Sequence, residues 1–175
     1  PRRHPEASGF VPLPGWRPEY DWQGMVPVAE LPRSLNPPEG FIVTANHKST
    51  DERSPLPLSH YWAGPYRFRR ITALLRGMTS PTLEDFRRLQ ADVHSVVADH
   101  LLDKVLAFDF TDPGAREAAD MLRNWNREVS ADSCGAAVFE AFLVTLERTL
   151  TEQKLGPEIG HYVNARMYGI VDVAL

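Results

Sequence analysis

The chain has little with which to staple or anchor itself. A single cysteine, Cys134, in 175 residues excludes an intrachain disulfide, and no run of about 18 apolar residues suggests a membrane span. Basic charge is also scarce. Nineteen Lys and Arg face 23 Asp and Glu for a net charge of -4, so the electrostatic footprint of a nucleic-acid binder is missing and neither a nucleic acid nor a membrane is expected as a partner. There is no repeat of 20 to 50 residues and no low-complexity tract. What remains, 43% hydrophobic and 24% charged residues, is the composition of an ordinary globular chain long enough for a core.

Proline divides this composition. Twelve of the 15 prolines fall in the first 65 residues. Because proline removes a donor and blocks helix interiors and central strands, residues 1-65 read as an extended, loop-rich segment. Residues 66-175 read as a helical domain, with Pro81, Pro113 and Pro157 at helix boundaries. The expected fold is mainly α with a few short strands.

Apolar periodicity predicts four helices. The first spans about Tyr66 to Arg76, with Phe68, Ile71, Leu74 and Leu75 on one stripe. Ser80 followed by Pro81 reads as a cap and first helical residue. The helix it opens would run through Phe86, Leu89, Val93, Val96, Val97 and Leu101 to Val105. Asp112 and Pro113 repeat the start signal for a third helix burying Ala118, Met121, Leu122 and Trp125. The fourth extends from about Ser133 to Leu155, presents Val138, Phe142, Leu146 and Leu150, and stops at Gly156-Pro157. Short strands are expected at Gly40 to Ala45 and at Met167 to Val173, from their β-branched and aromatic content.

The segment Asn36 to Thr50, NPPEGFIVTANHKST, places a carboxamide, Asn46, at the end of the first of these apolar runs. A neutral donor held rigidly at a strand end is what an oxyanion hole requires. Arg67 follows in HYWAGPYRFRRITALL. The order of motifs, Pro14-Gly15, Tyr20-Asp21-Trp22-Gln23-Gly24, Asn36-Pro37-Pro38-Glu39-Gly40-Phe41-Ile42, Asn46, Trp62 to Arg67 and Leu89 to Ser95, resembles the β-subunit of the penicillin acylase family of N-terminal-nucleophile amide hydrolases.

The resemblance implies that these residues are part of a larger α+β hydrolase that cleaves N-acyl amide bonds through an acyl-enzyme. It makes Asn46 and Arg67 the candidate catalytic residues. Asn46 would donate to the oxyanion; Arg67, at the start of a helix, would orient Asn46 or a substrate carboxylate. The expected partners are the remainder of the acylase precursor, meaning its α-subunit and early β-subunit, and a small N-acylated substrate. No cofactor is implied. Some relatives place a structural calcium ligand in the loop after Asn46, where this chain offers only Asp51 and Glu52. Bacterial members are often periplasmic or secreted, which sets the expected location.

In the family the nucleophile is the N-terminal Ser, Thr or Cys released by self-cleavage, activated by its own α-amino group. This chain begins with Pro1, so it is expected to be inactive by itself. A second reading, from another class, is a non-catalytic helical interaction module.

Other residues weigh less. Adjacent residues on a strand face opposite ways, so His47 is not expected to act beside Asn46 as a catalytic base. His47, Asp51, Glu52 and His60 match no compact zinc spacing. Gln90 and Asp92 are expected to hydrogen-bond loops and fix their helix. His94, His100 and His161 read as packed or surface side chains, and Cys134 as an inert thiol. Trp16, Tyr20 and Trp22 fit either an acyl pocket or simple packing.

Overall fold

The computed structural model describes residues 2-7, 11-50, 56, 58-59 and 61-158. The chain forms two compact units, Pro1–Phe68 and Arg69–Leu175. Five helices carry it: α1 (Tyr66–Arg76), α2 (Leu83–Gln90), α3 (Val96–Val105), α4 (Pro113–Arg123) and α5 (Cys134–Leu155). Among the described residues the only β pairing is an isolated antiparallel bridge between His94 and Glu128. The fold is therefore mainly helical.

The first unit is built from turns. The N-terminal residues lie along the segment before Met25: the Arg2 N–H donates to the Gly24 carbonyl at 2.8 Å, and the Gln23 N–H to the Arg2 carbonyl at 2.9 Å. Two single 3-10 turns follow, Pro18–Tyr20 and Val28–Glu30. Its described buried apolar residues, Ala7, Ala45 and Tyr66, include only one large side chain. Trp16, Trp22, Met25 and Leu35 are exposed.

The strand expected at Gly40 to Ala45 does not form. The run has no regular secondary structure: exposure alternates from half-buried Phe41 and Val43 to exposed Ile42 and Thr44, but no ladder accompanies it. β-branched content favours the extended conformation; a strand needs in addition a neighbour for its N–H and C=O groups. Met167 to Val173 and His161 lie outside the described residues.

The second unit has a conventional core. Leu101 and Leu102 of α3 and Phe139 and Leu143 of α5 are fully buried, with Ala98, Ala119, Leu122, Trp125 and Ala136 nearly so. The starts of α2 to α5 are each capped by a side-chain oxygen, which satisfies an otherwise orphaned N–H. Ser95 accepts from Ala98 at 3.2 Å, Asp112 from Ala115 at 2.8 Å, and Ser133 from Ala136 at 3.1 Å. α5 ends at Gly156, whose φ of 88° is open to a residue without Cβ.

Three helical expectations need correction. The helix expected from Ser80 to Val105 is two helices. Thr82, not Ser80, caps the first: its hydroxyl accepts from the Asp85 N–H while the Asp85 carboxylate accepts from the Thr82 N–H at 2.8 Å, a reciprocal capping box. The helix then breaks because the backbone around Val93 bonds elsewhere. The Val93 carbonyl accepts from Val129 at 2.9 Å and the Ser95 N–H donates to Arg127 at 2.8 Å, after which Ser95 caps α3.

The buried face of α4 is centred on Ala119 and Leu122, leaving Met121 exposed. That of α5 is shifted by one residue, to Ala136, Phe139, Leu143, Glu147 and Thr151. The cause is the start of α5. α4 packs against α5, and Trp125, just beyond α4, lies 5.3 Å from Phe139 between ring centroids. A Cβ at Gly135 would come within 2.6 Å of the indole. Close approach at Gly135 turns the 136/139/143 stripe inward, and Val138, Phe142, Leu146 and Leu150 are left half-buried on its flank.

Candidate active site

The site lies in the first unit and is built by two turns and the start of a helix. Asn36 adopts a left-handed backbone with φ 49°, and the Gly40 N–H closes a turn onto the Pro37 carbonyl at 2.9 Å. Gly40 itself has φ 77°. The apolar run then leads to Ala45, which is buried. At Asn46 the chain turns again, with φ 60°. Asn is among the few residues with a side chain that tolerate this region, so its identity suits the turn as well as the chemistry.

Three hydrogen bonds hold the turn. The Ala63 N–H donates to the Asn46 carbonyl at 2.9 Å. From the first turn of α1, Arg67 Nη2 donates to the Ala45 carbonyl at 3.0 Å and to Asn46 Oδ1 at 2.8 Å. The structure therefore brings together the two residues singled out in the sequence, although 21 positions separate them.

This contact fixes which way the carboxamide faces. A guanidinium has donors only, so the amide atom facing it must be the oxygen. Asn46 Nδ2 then carries both amide hydrogens on the other side, on a residue that is exposed. A positive charge on Oδ1 also draws density from the amide and strengthens Nδ2 as a donor. Chemically, the pair is an oriented neutral hydrogen-bond donor backed by a cation.

His47 is turned away from this chemistry. Its ring stacks on Phe68 of α1 with centroids 3.8 Å apart and planes 23° from parallel. Its Nδ1 is buried with no hydrogen-bond partner among the described residues. Asp51, Glu52 and His60, weighed for metal, lie outside the described residues. Within the described residues no group of three or more metal-ligating side chains is gathered. Trp16 and Trp22 are exposed rather than gathered into a pocket; Tyr20 stacks edge-on against His4 and its hydroxyl donates to Glu6 at 3.0 Å. Cys134 is exposed at the start of α5.

In the second unit, sequence reasoning missed a set of ion pairs around the break between α2 and α3. Arg70 grips Asp92 through two bonds, Nε to Oδ2 at 2.8 Å and Nη2 to Oδ1 at 2.5 Å. Asp92 thus holds α1 rather than a loop. Arg127 donates to Asp99 at 2.9 Å and to Asp103 at 3.2 Å, and His94 Nε2 sits 2.7 Å from Asp99. The Arg70 guanidinium holds the Asp92 carboxyl below its ordinary value. Burial pushes Asp99 up, but hydrogen bonds from Arg127 and His94 outweigh it and leave that carboxyl lowered too. No local spacing signals these partners, which come from different helices and junctions.

The sequence matches the family described as penicillin amidase over residues 1–173. The chain belongs to that family. It is 31% identical over 148 residues to the penicillin acylase 2 proenzyme of Pseudomonas sp. strain SE83, covering 84% of this chain and 19% of that protein. Two acyl-homoserine lactone acylases named QuiP are similarly related. That of Pseudomonas aeruginosa is 31% identical over 174 residues, covering 89% of this chain and 20% of its own length. That of Pseudomonas fluorescens strain Pf-5 is 32% identical over 170 residues, covering 87% and 20%. The chain thus spans about a fifth of the length of these relatives. None of the helices among the described residues is long and apolar enough to cross a membrane.

Proposed function

We propose that this chain forms part of an amide hydrolase that cleaves N-acyl amide bonds through an acyl-enzyme, with Asn46 as an oxyanion donor and Arg67 as the residue that orients it. The observation that carries this reading is the bond from Arg67 Nη2 to Asn46 Oδ1. It leaves Nδ2 as the donor aimed outward, and membership of the penicillin amidase family supplies the reaction class.

In the reaction, a nucleophile adds to the amide carbonyl and negative charge gathers on its oxygen. Asn46 Nδ2 donates to that oxygen. The donor is already oriented, so little reorganisation is needed as the charge develops. Collapse of the tetrahedral species expels the amine and leaves the acyl-enzyme, which water then cleaves past the same donor. The nucleophile in this reading is the N-terminal Ser, Thr or Cys of the mature β-chain, with its α-amino group as base. The remainder of the acylase precursor is then this segment's partner, a small N-acylated molecule the substrate, and the periplasm or exterior of a bacterium the location. No organic cofactor takes part.

The test is Asn46→Ala in the full-length, self-processed enzyme. Loss of one such donor typically costs about 2.7 to 4 kcal/mol in the barrier, so kcat should fall about 10²- to 10³-fold. Chain cleavage and folding should be unaffected. Turnover equal to that of the parent would refute the oxyanion assignment.

A further inference from the structure

Asn46 and His47 contact consecutive residues of α1. The Asn46 carboxamide is held by Arg67 and the His47 ring by Phe68. Both contacts lie within the first unit and flank a single peptide bond. That bond follows a residue in the left-handed region, a conformation that persists where its surroundings over-determine it. Three polar bonds do part of this: Arg67 to the Ala45 carbonyl, Arg67 to Asn46 Oδ1, and the Ala63 N–H to the Asn46 carbonyl. All three act on Asn46 or the residue before it. The Ala63 bond reaches the peptide between Asn46 and His47 through its carbonyl, and the ring stack holds the side chain that follows it.

Resting on the oxyanion role of Asn46, we propose that His47 is a positioning residue for that carboxamide and works as a flat ring rather than through Nδ1. The near-parallel stack at 3.8 Å locks the peptide between Asn46 and His47 against the first turn of α1. Nδ1 is buried without a partner among the described residues, so that nitrogen is not what the packing uses. An oxyanion donor must be held to within about 0.5 Å of its productive place. A single carbonyl bond leaves that peptide free to pivot about it, which would not meet that requirement. The His47 ring supplies a second hold on that peptide.

The experiment compares His47→Phe, His47→Ala and Asn46→Ala, singly and with the alanines combined, in the full-length processed enzyme with an N-acylated substrate. His47→Phe should keep kcat within about twofold. His47→Ala should lower kcat about tenfold with little change in KM, since a small displacement of a catalytic group slows the chemical step. In the Asn46→Ala background, His47→Ala should have no further effect, because the group it positions is gone. Phe68→Leu removes the other ring and should reproduce the loss if His47→Ala does not fold. His47→Phe as slow as His47→Ala would overturn the proposal by showing that a nitrogen is needed. Full additivity of the two alanines would overturn it by placing the effect elsewhere. A parent-like rate for Asn46→Ala alone would remove the oxyanion reading and this proposal together, whereas a slow Asn46→Ala beside a fully active His47→Ala removes only the positioning role.

Discussion

The two units divide the work unequally. The first holds the candidate chemistry on turns, and its described buried apolar residues are Ala7, Ala45 and Tyr66. The second holds fully buried Leu101, Leu102, Phe139 and Leu143, side-chain caps on α2 to α5, and the ion pairs around Asp92 and Asp99. A site on turns is specified by polar contacts and backbone conformation, whereas a helical core is specified by shape. Substitutions in the two should therefore fail differently: those at Asn46 should change rate far more than stability, and those in the helical unit should change stability first.

The widest separation is expected from Asn46→Ala, which removes an exposed carboxamide. Beside the 10²- to 10³-fold loss of kcat expected in the full-length enzyme, thermal unfolding of the 175-residue chain should shift by no more than about 1 to 2 kcal/mol, the cost of an alanine at φ 60° beside one exposed hydrogen bond. A large drop in melting temperature would mean that the turn is structural, and the division between the units would lose its basis.

Gly135→Ala should do the reverse. The added Cβ would lie 2.6 Å from the Trp125 Cγ and 2.7 Å from its Cβ, both near the backbone end of a side chain that has little room to move. Trp125 is also held at its far end, where Nε1 donates to the Glu128 carbonyl at 2.9 Å. Overpacking of this kind costs about 1 to 3 kcal/mol even though alanine is the better helix former. Chemical denaturation of the 175-residue chain would reveal it as a lower midpoint at unchanged slope.

Acid should also act on the helical unit. Asp92 and Asp99 have folded-state values below the ordinary carboxylate value, so folding favours their ionised forms. The stability they contribute is complete above the unfolded value of about 3.9 and is lost as pH falls through the lowered folded values. Asp92→Asn removes one such group while keeping one acceptor for Arg70. It should cost about 1 to 2 kcal/mol at pH 7 and flatten the decline in helical signal below about pH 4. An unaltered acid transition in this variant would show that Asp92 is not among the groups that drive it.

Much of the helical half was legible from residue patterns, and the errors share a cause. α1 and the ends of α5 follow from apolar spacing, Ser133 and Gly156, all local signals. The division of the expected second helix was not foreseen, because Val93 continues the apolar period while its carbonyl bonds to Val129, 36 positions away. The face of α5 was displaced by one residue because Gly135 and Trp125 set it, and periodicity does not include the partner's shape. At the site, Asn46 and Arg67 stood out through motif order, and their contact supplies a geometry that motif order alone could not. The stack of His47 on Phe68 had no sequence signal beyond adjacency to those two.

The finest test concerns the start of α2, where two neighbouring hydroxyls make opposite predictions. Ser80 has φ 57° and precedes Pro81, whereas Thr82 accepts from the Asp85 N–H and is bonded in return by the Asp85 carboxylate. Those bonds from the Thr82 hydroxyl and N–H lower the Asp85 carboxyl as well, as expected for an acceptor at a helix N-terminus. Thr82→Ala should therefore destabilise the helical unit by about 1 kcal/mol, while Ser80→Ala changes a residue outside the capping box and should move the midpoint by less than about 0.5 kcal/mol. Were the two effects reversed in denaturant titrations of the same chain, Ser80 would be the cap after all and α2 would begin two residues earlier than the structure places it. The comparison isolates the cap because both substitutions delete a hydroxyl within three residues of each other, leaving helix propensity and charge nearly matched.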